Sequence, residues 1–327
     1  MTTRSSIWGF SKMFVAIEKE TTLITALERD LTLDAHYRLA TSKWDLTRDD
    51  ERFLHTIRNA PGITGRLVLS NRHVRYAAIN YLIDVMLADF DAHPSRKRLF
   101  CTFCWDAGFT WQYAPNVDLV ALQAAVDKVL RQLGLHGLGV IEFDTLTRIA
   151  GEPGRRLMFH VHVYAWSYEI SFDHVEAAEE LRATKRFPNN LDAPSVLFKP
   201  VTLTRGSIAR LAEYMLKTPQ EMKNRIESRS EPGTFMMRGT KFTPDSAVRV
   251  IEVLSHIQAF DVVFGVRDGT LLSRTWRKHM VIWDNSLRGK QYELDGTAAD
   301  KHWAHIREDN GSRKMEPCRI ITRAASR

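Results

Sequence analysis

The sequence predicts an α+β fold, and three observations predict it. First, Arg156-Leu-Met-Phe-His-Val-His-Val-Tyr-Ala-Trp166 alternates apolar and polar residues and is rich in Val, Phe, Tyr and Trp, the pattern of a half-buried strand. Second, Val117 to Leu133 places Leu119, Leu122, Val126, Val129 and Leu130 at helical spacing, between a capping Asn116 or Asp118 and Gly134. Third, the strand Leu138 to Phe143 is joined to the Arg156 strand by the turn-rich loop Arg148-Ile-Ala-Gly-Glu-Pro-Gly-Arg-Arg156, which predicts a hairpin and so antiparallel pairing.

The chain has 327 residues, enough for one large domain or two modest ones. Lys and Arg number 46 against 39 Asp and Glu, a net charge of +7 that mildly favours polyanionic partners. No stretch approaches the ~20 apolar residues of a membrane span, and the N-terminus carries Arg4 and Lys12 without a long apolar run. Of the 3 cysteines, Cys101 and Cys104 are three apart in a strand, which sends the thiols to opposite faces, and no second pair completes a zinc site. The expectation is a cytoplasmic protein with free thiols and no membrane partner.

In chain order, residues 1–95 read as a helical N-terminal region, with helical patterns over Thr22–Leu31, Thr47–Ile57 and His73–Phe90. It is either a separate small unit or a set of helices packed on the sheet. Leu99–Trp105 is a bulky apolar strand. After the long helix and the hairpin, Asp173 caps a helix to about Arg182, and Ser195–Val201 is a strand that Pro200 places at an edge or its end. Ser207 to Thr218 is a helix, with Ile208, Leu211, Ala212 and Met215 on one side and Pro219 as its stop. Lys223 to Lys241 is a basic passage with Gly and Pro. A helical C-terminal extension, 231–284, holds a helix from about Pro244 to Ala259 and a basic stretch from Thr270 to Trp283, with Arg274, Arg277, Lys278 and His279 interleaved with Trp276, and 285–327 reads as a polar, poorly ordered tail.

His160 and His162 leave the same strand face roughly 6.5–7 Å apart at the backbone, a spacing at which two imidazoles can share one divalent ion. The plainer reading of an isolated His-x-His is two polar residues on a wet sheet face. Tyr214 and Lys217 are three apart on one helix, a phenol beside a cation. Glu142 and Asp144, two apart on the strand before the His pair, share a face and offer the carboxylate that Mg2+ or Mn2+ prefers beside imidazole.

In this order, an apolar strand (Leu99–Trp105), His160-Val-His162 and Tyr214-Met-Leu-Lys217 resemble the three motifs of the HUH endonucleases, and specifically the rolling-circle replication initiators (Rep proteins) of plasmids and single-stranded DNA phages. The resemblance covers roughly 97 to 220 and defines a nuclease domain over 96–230. It implies a central antiparallel sheet of about five strands with flanking helices. It implies His160, His162 and Glu142 as ligands of Mg2+ or Mn2+, with Asp144 in reserve for Glu142. It implies Tyr214 as nucleophile, assisted by Lys217, and a 5′-phosphotyrosine with a free 3′-OH as product. Arg148, Arg155 and Arg156 of the hairpin and Arg210 of the helix are the expected DNA contacts. The implied partners are single-stranded or hairpin origin DNA, a host DNA polymerase and, because the chain has no G-x-x-x-x-G-K-[ST] phosphate loop, a host helicase. A transposase or mobilisation relaxase of the same superfamily is the near alternative, and a DNA-binding protein without catalysis the distant one. Histidine-triad hydrolases need a third His where Tyr164 stands, and cupins need a later strand His, whereas His174 opens a helix.

Overall fold

A computed structural model describes residues 5–42, 44, 46–149, 152–169, 171–190, 194–227, 235–309 and 315–322. Three helices come first: α1 (Ser5–Thr41), α2 (Arg48–Asn59) and α3 (Arg72–Ala92). Thr47 caps α2 and Asn71 caps α3 by accepting from backbone N–H groups of the first turn. Strand β1 (Arg98–Phe103) follows, then the short β2 (Phe109–Trp111) and β3 (Asn116–Asp118). Asp118, not Asn116, caps α4 (Leu119–Gln132). Strands β4 (His136–Ile149) and β5 (Glu152–Trp166) are much longer than the apolar runs that announce them, because pairing continues through Thr147↔Arg155 into the basic segment expected as loop. Then come α5 (His174–Ala183), β6 (Val196–Pro200), α6 (Arg205–Met215), β7 (Met222–Glu227) and β8 (Phe235–Thr240). The chain closes with α7 (Pro244–Ser255), α8 (Ala259–Val262), β9 (Val263–Val266), α9 (Gly269–Ser286), α10 (Gly296–Asp309) and β10 (Arg319–Ile321).

The fold is α+β. Among the described residues its main sheet has eight strands rather than about five, in the order β6-β1-β5-β4-β7-β8, with β2 also on β5 and β9 also on β4. It is mixed rather than purely antiparallel, since β7 runs parallel to β4. The additional strands are hard to read for physical reasons. β2 and β9 have three and four residues, too few for a period to register. β7 (MKNRIE) and β8 (FMMRGT) carry charge and little alternation. β3 and β10 form a separate parallel pair.

β4 and β5 lie in the middle, and both of their faces are covered. Phe143 and Phe159 meet on one face with ring centroids 4.9 Å apart. On the other, Tyr164 donates to Asp89 of α3 at 3.0 Å, and burial with the nearby Asp89 carboxylate pushes its phenol up. α9 begins against β4 so closely that a Cβ on Gly269 would overlap the Gly137 carbonyl.

The N-terminal helices pack on the sheet domain. One continuous core runs from Leu23 of α1 to Ile306 of α10, and Trp276 of α9 donates to the Ala78 carbonyl of α3 at 2.9 Å. The segment expected as a tail contains α10, with Trp303 and Ile306 buried and Phe53 of α2 edge-on to Trp303 at 5.2 Å. A fully buried Arg58 ties α2 to α1 through Asp34 Oδ1 at 2.6 Å and Asp30 Oδ1 at 3.2 Å. Arg58→Ala leaves two buried carboxylates short of a cation, so it is expected to lower unfolding free energy by about 3–5 kcal/mol. Urea unfolding measures this directly; a loss under about 1 kcal/mol would show that water reaches the pair.

Candidate functional site

The residues singled out by the motifs lie on β4, β5 and the end of α6. Register does most of the work. Glu142 stands directly opposite His160 across the β4–β5 ladder, and Thr102 of β1 directly opposite His162. Residues opposite each other share a face, and so do residues two apart on one strand. Glu142, His160, His162 and Thr102 therefore converge. His160 Nε2 lies 2.7 Å and His162 Nε2 2.8 Å from the same oxygen, Glu142 Oε1. Lys217 Nζ contacts that oxygen too, while Glu142 Oε2 is buried with no hydrogen-bond partner among the described residues.

The face that carries the His pair is closed rather than wet: His160 is 4% exposed and His162 2%. α6 provides much of the cover. It starts at Arg205, two residues before the Ser207 start read from the sequence, with Thr204 as its cap. It ends at Met215, so Lys217 lies just past the helix rather than on it. Pro219 explains the early stop, because it drives Thr218 out of the α region. Leaving the helix lets Lys217 drop toward Glu142 while its ammonium stays 4.3 Å over the Tyr214 ring. Thr218 is held by Arg75 of α3, Nη1 to Oγ1 at 2.6 Å.

Tyr214 is 39% exposed at the rim of this cluster. Its ring lies 5.3 Å from His162 and 5.9 Å from Phe100, which itself stacks on His162 at 4.8 Å. Glu213, its neighbour, is buried and bound to Arg29 of α1 at 2.6 Å; burial pushes its carboxyl up against the pull of Arg29. Tyr168, by contrast, sits beyond the end of β5 and donates to Asp268.

Asp144 is on the face of Glu142 but engages Lys223 at 2.6 Å and lies outside the Glu142–His160–His162 cluster. Arg210 is exposed one turn before Tyr214. Arg155 donates to Ser246 at 3.1 Å and Arg156 stacks 4.2 Å over Trp111. Arg156 is four residues from His160, about 13 Å along the strand, so these two arginines are not part of the cluster. The Arg148 side chain lies outside the described residues. Thr102 and Phe100 were missed by the motif reading. Their signal was available only as β1 register, since Thr102 sits at a polar position within an apolar strand.

Burial raises the Glu142 carboxyl, but Lys217, His162 and His160 outweigh it and hold the group well below the usual carboxylate range. Burial pushes His162 down to about 4 despite the Glu142 carboxylate. Both shifts have the same consequence in the metal-free protein. The unfolded chain takes up protons on His162 below its ordinary pKa near 6.5, the folded chain only near 4. Stability is therefore expected to be fully present above about pH 6.5 and to fall as pH drops toward 4, by up to about 1.4 kcal/mol per pH unit. Glu142 adds to the loss below its ordinary pKa of 4.5. Denaturant midpoints from pH 7 to 4.5 should show this slope, and His162→Gln should flatten it. An equal slope in the variant places the titration elsewhere.

The donor set fits a divalent ion. Glu142, His160 and His162 offer ligand atoms that all lie within 4.8 Å of one another. His160 makes the case from hydrogen bonding. Its Nδ1 faces the Met158 carbonyl at 3.1 Å and its Nε2 faces a carboxylate oxygen, both acceptors only. A neutral imidazole has one N–H and cannot donate to both. With Nδ1–H on the carbonyl, the Nε2 lone pair is presented to a metal. At His162 the Thr102 hydroxyl, 3.1 Å from Nδ1, can donate or accept and so permits the same tautomer. One carboxylate and two imidazoles leave positions open for substrate oxygens. A second cluster of Glu252, His256 and Cys318 has similar spacing, but Arg249 and Arg307 already hold the two Glu252 oxygens at 2.5 Å. That excess of cations disfavours a further one.

Comparisons with protein-family models, with curated proteins and with solved structures each returned no match. No helix among the described residues is long and apolar enough to cross a membrane.

Proposed function

We propose that this protein is a metal-dependent endonuclease and strand transferase of the HUH type, acting on single-stranded DNA through a 5′-phosphotyrosine and so initiating rolling-circle replication. The observation that carries the reading is the junction of a two-His, one-carboxylate cluster with a half-exposed tyrosine whose ring lies 5.3 Å from one of those histidines. Ordered motifs in the sequence add to it, as does the net charge of +7.

A phosphodiester is an anion that repels nucleophiles, so cleavage requires neutralised non-bridging oxygens and an in-line attacking group. Mg2+ or Mn2+ bound to Glu142, His160 and His162 supplies that neutralisation. Tyr214 Oη attacks phosphorus, the bond to O3′ breaks, and the phosphoryl group passes to the phenol. The phenolic proton leaves to solvent, since Tyr214 is 39% exposed, and O3′ leaves as a hydroxyl. Lys217, over the ring, favours the phenolate and the charge that builds at phosphorus. Attack of a 3′-OH on the phosphotyrosine reverses the step and joins strands. The Met158 carbonyl at His160 Nδ1 and the Thr102 hydroxyl at His162 Nδ1 orient the imidazoles, and Phe100 packs on the face of His162.

The test is a covalent one. The full chain is incubated with a single-stranded 40-mer pool of randomised sequence and Mn2+, then run on a denaturing gel. A protein–oligonucleotide adduct that disappears with EDTA is expected. Salt-sensitive binding with no adduct at any metal concentration would instead fit a DNA-binding protein without catalysis.

A further inference from the structure

α1 and α6 enclose a groove of about 520 Å³ that ends at Tyr214. We infer that this groove binds the DNA segment on the 3′ side of the scissile phosphate, the segment that remains on the enzyme after cleavage. The inference rests on Tyr214 as the nucleophile.

Three observations support it. The first is position. His162 and Phe100 pack against the Tyr214 ring, yet neither lines the groove, which opens along α6 toward α1. In an in-line displacement the attacking phenol and the departing O3′ are on opposite sides of phosphorus. The strand ending in O3′ therefore leaves on the side away from Tyr214. The strand bonded through O5′ leaves sideways, past the ring, and the groove is the channel that begins there.

The second is chemistry. Thr21, Thr25 and Arg29 of α1 line one wall at four-residue spacing and so share one helix face. Ser207 and Arg210 of α6 line the other. Arg29 is neutralised by Glu213. Arg210 is exposed, and among the described residues its guanidinium reaches no carboxylate, only the Ser207 hydroxyl at 3.5 Å. It is the cation left for a phosphate, among hydroxyls suited to sugar and phosphate oxygens.

The third is length. Ser207 and Tyr214 are seven residues apart, about 11 Å along the helix. At a rise of about 3.4 Å per stacked nucleotide this holds about three. The Arg29–Glu213 pair fixes α1 against α6 at this place, which gives the N-terminal helix a part in substrate binding as well as in packing.

A 5′-phosphorylated dT6 carrying a 3′ fluorophore mimics the retained segment, and its anisotropy titration with the full chain is the test. Thr25→Trp fills the groove from a partly exposed position, and Arg210→Ala removes the cation. The expected results are at least tenfold weaker binding in Thr25→Trp and, in Arg210→Ala, a salt slope smaller by about 0.7. Thermal melts of both variants check that they fold. Equal affinity in wild type and a folded Thr25→Trp overturns the inference, as does an unchanged salt slope in Arg210→Ala. The adduct assay separates the two readings. Adducts with groove-independent dT6 binding sink only the groove. Groove-dependent binding with no adduct from any pool removes Tyr214 as nucleophile and with it the assignment to the 3′ side.

Discussion

Tyr214→Phe is expected to abolish adduct formation and nicking, by at least about 10⁴-fold, while single-stranded DNA affinity stays within about twofold. The ring is held by contacts that phenylalanine keeps: Phe100 edge-on at 5.9 Å, His162 at 5.3 Å and the Lys217 ammonium at 4.3 Å. Only the oxygen is lost, at a site 39% exposed, so the fold has little to lose. Gel detection of adduct and anisotropy for binding read the two quantities separately. Adduct formed by the Phe variant would place the nucleophile elsewhere. Tyr164 is a poor substitute, being buried and bound to Asp89, and Tyr168 lies past the end of β5 with its hydroxyl on Asp268.

Glu142→Gln is expected to act twice. It should raise the Mn2+ concentration for half-maximal nicking about 10–100-fold, because it replaces the one carboxylate ligand with a weaker, neutral one. It should also lower the stability of the metal-free protein by about 3 kcal/mol, because a buried ion pair is broken from one side. Lys217 is the group left exposed to that loss. Its ammonium is largely buried, and although burial lowers its pKa, Glu142 and Asp144 together hold it raised. Asp144→Asn is the control, since Asp144 pairs with Lys223 outside the cluster. It should leave the Mn2+ dependence close to wild type. A metal titration curve unchanged in Glu142→Gln would remove Glu142 from the ligand set, whatever happens to stability.

How far the sequence could be read depends on the range of the interactions concerned. The His160–His162 strand, the α4 helix with its Asp118 cap and the α5 helix with its Asp173 cap are written in periods and caps a few residues long. Two-residue spacing already put both imidazoles on one face of β5, and Glu142 with Asp144 on one face of β4. Those are local properties of a strand, and nothing distant can change them.

The choice between Glu142 and Asp144 was not local. It followed from a register that sets Glu142 opposite His160 and Asp144 opposite Met158. A register shift between Thr147 and Ile149 breaks the simple count from which that pairing could be read. The end of α6 was misplaced for a similar reason. The helical pattern runs on to Lys217, but the backbone turns out before it, where Pro219, Arg75 and Glu142 all act on the same few residues. Strands β7, β8 and β9 went unread because their pairing partners, not their own sequences, make them strands.

By itself, then, the sequence determined an α+β fold, a His pair on one strand face and a tyrosine near a lysine, because these depend on spacings of two to four residues. Only the tertiary structure decided that Glu142 Oε1 is where both imidazoles and Lys217 meet, that the histidine face is closed, and that α1 walls a groove ending at Tyr214. Those facts depend on residues 18 to nearly 190 positions apart. Register and helix packing bring them together, and neither leaves a periodic mark in the chain.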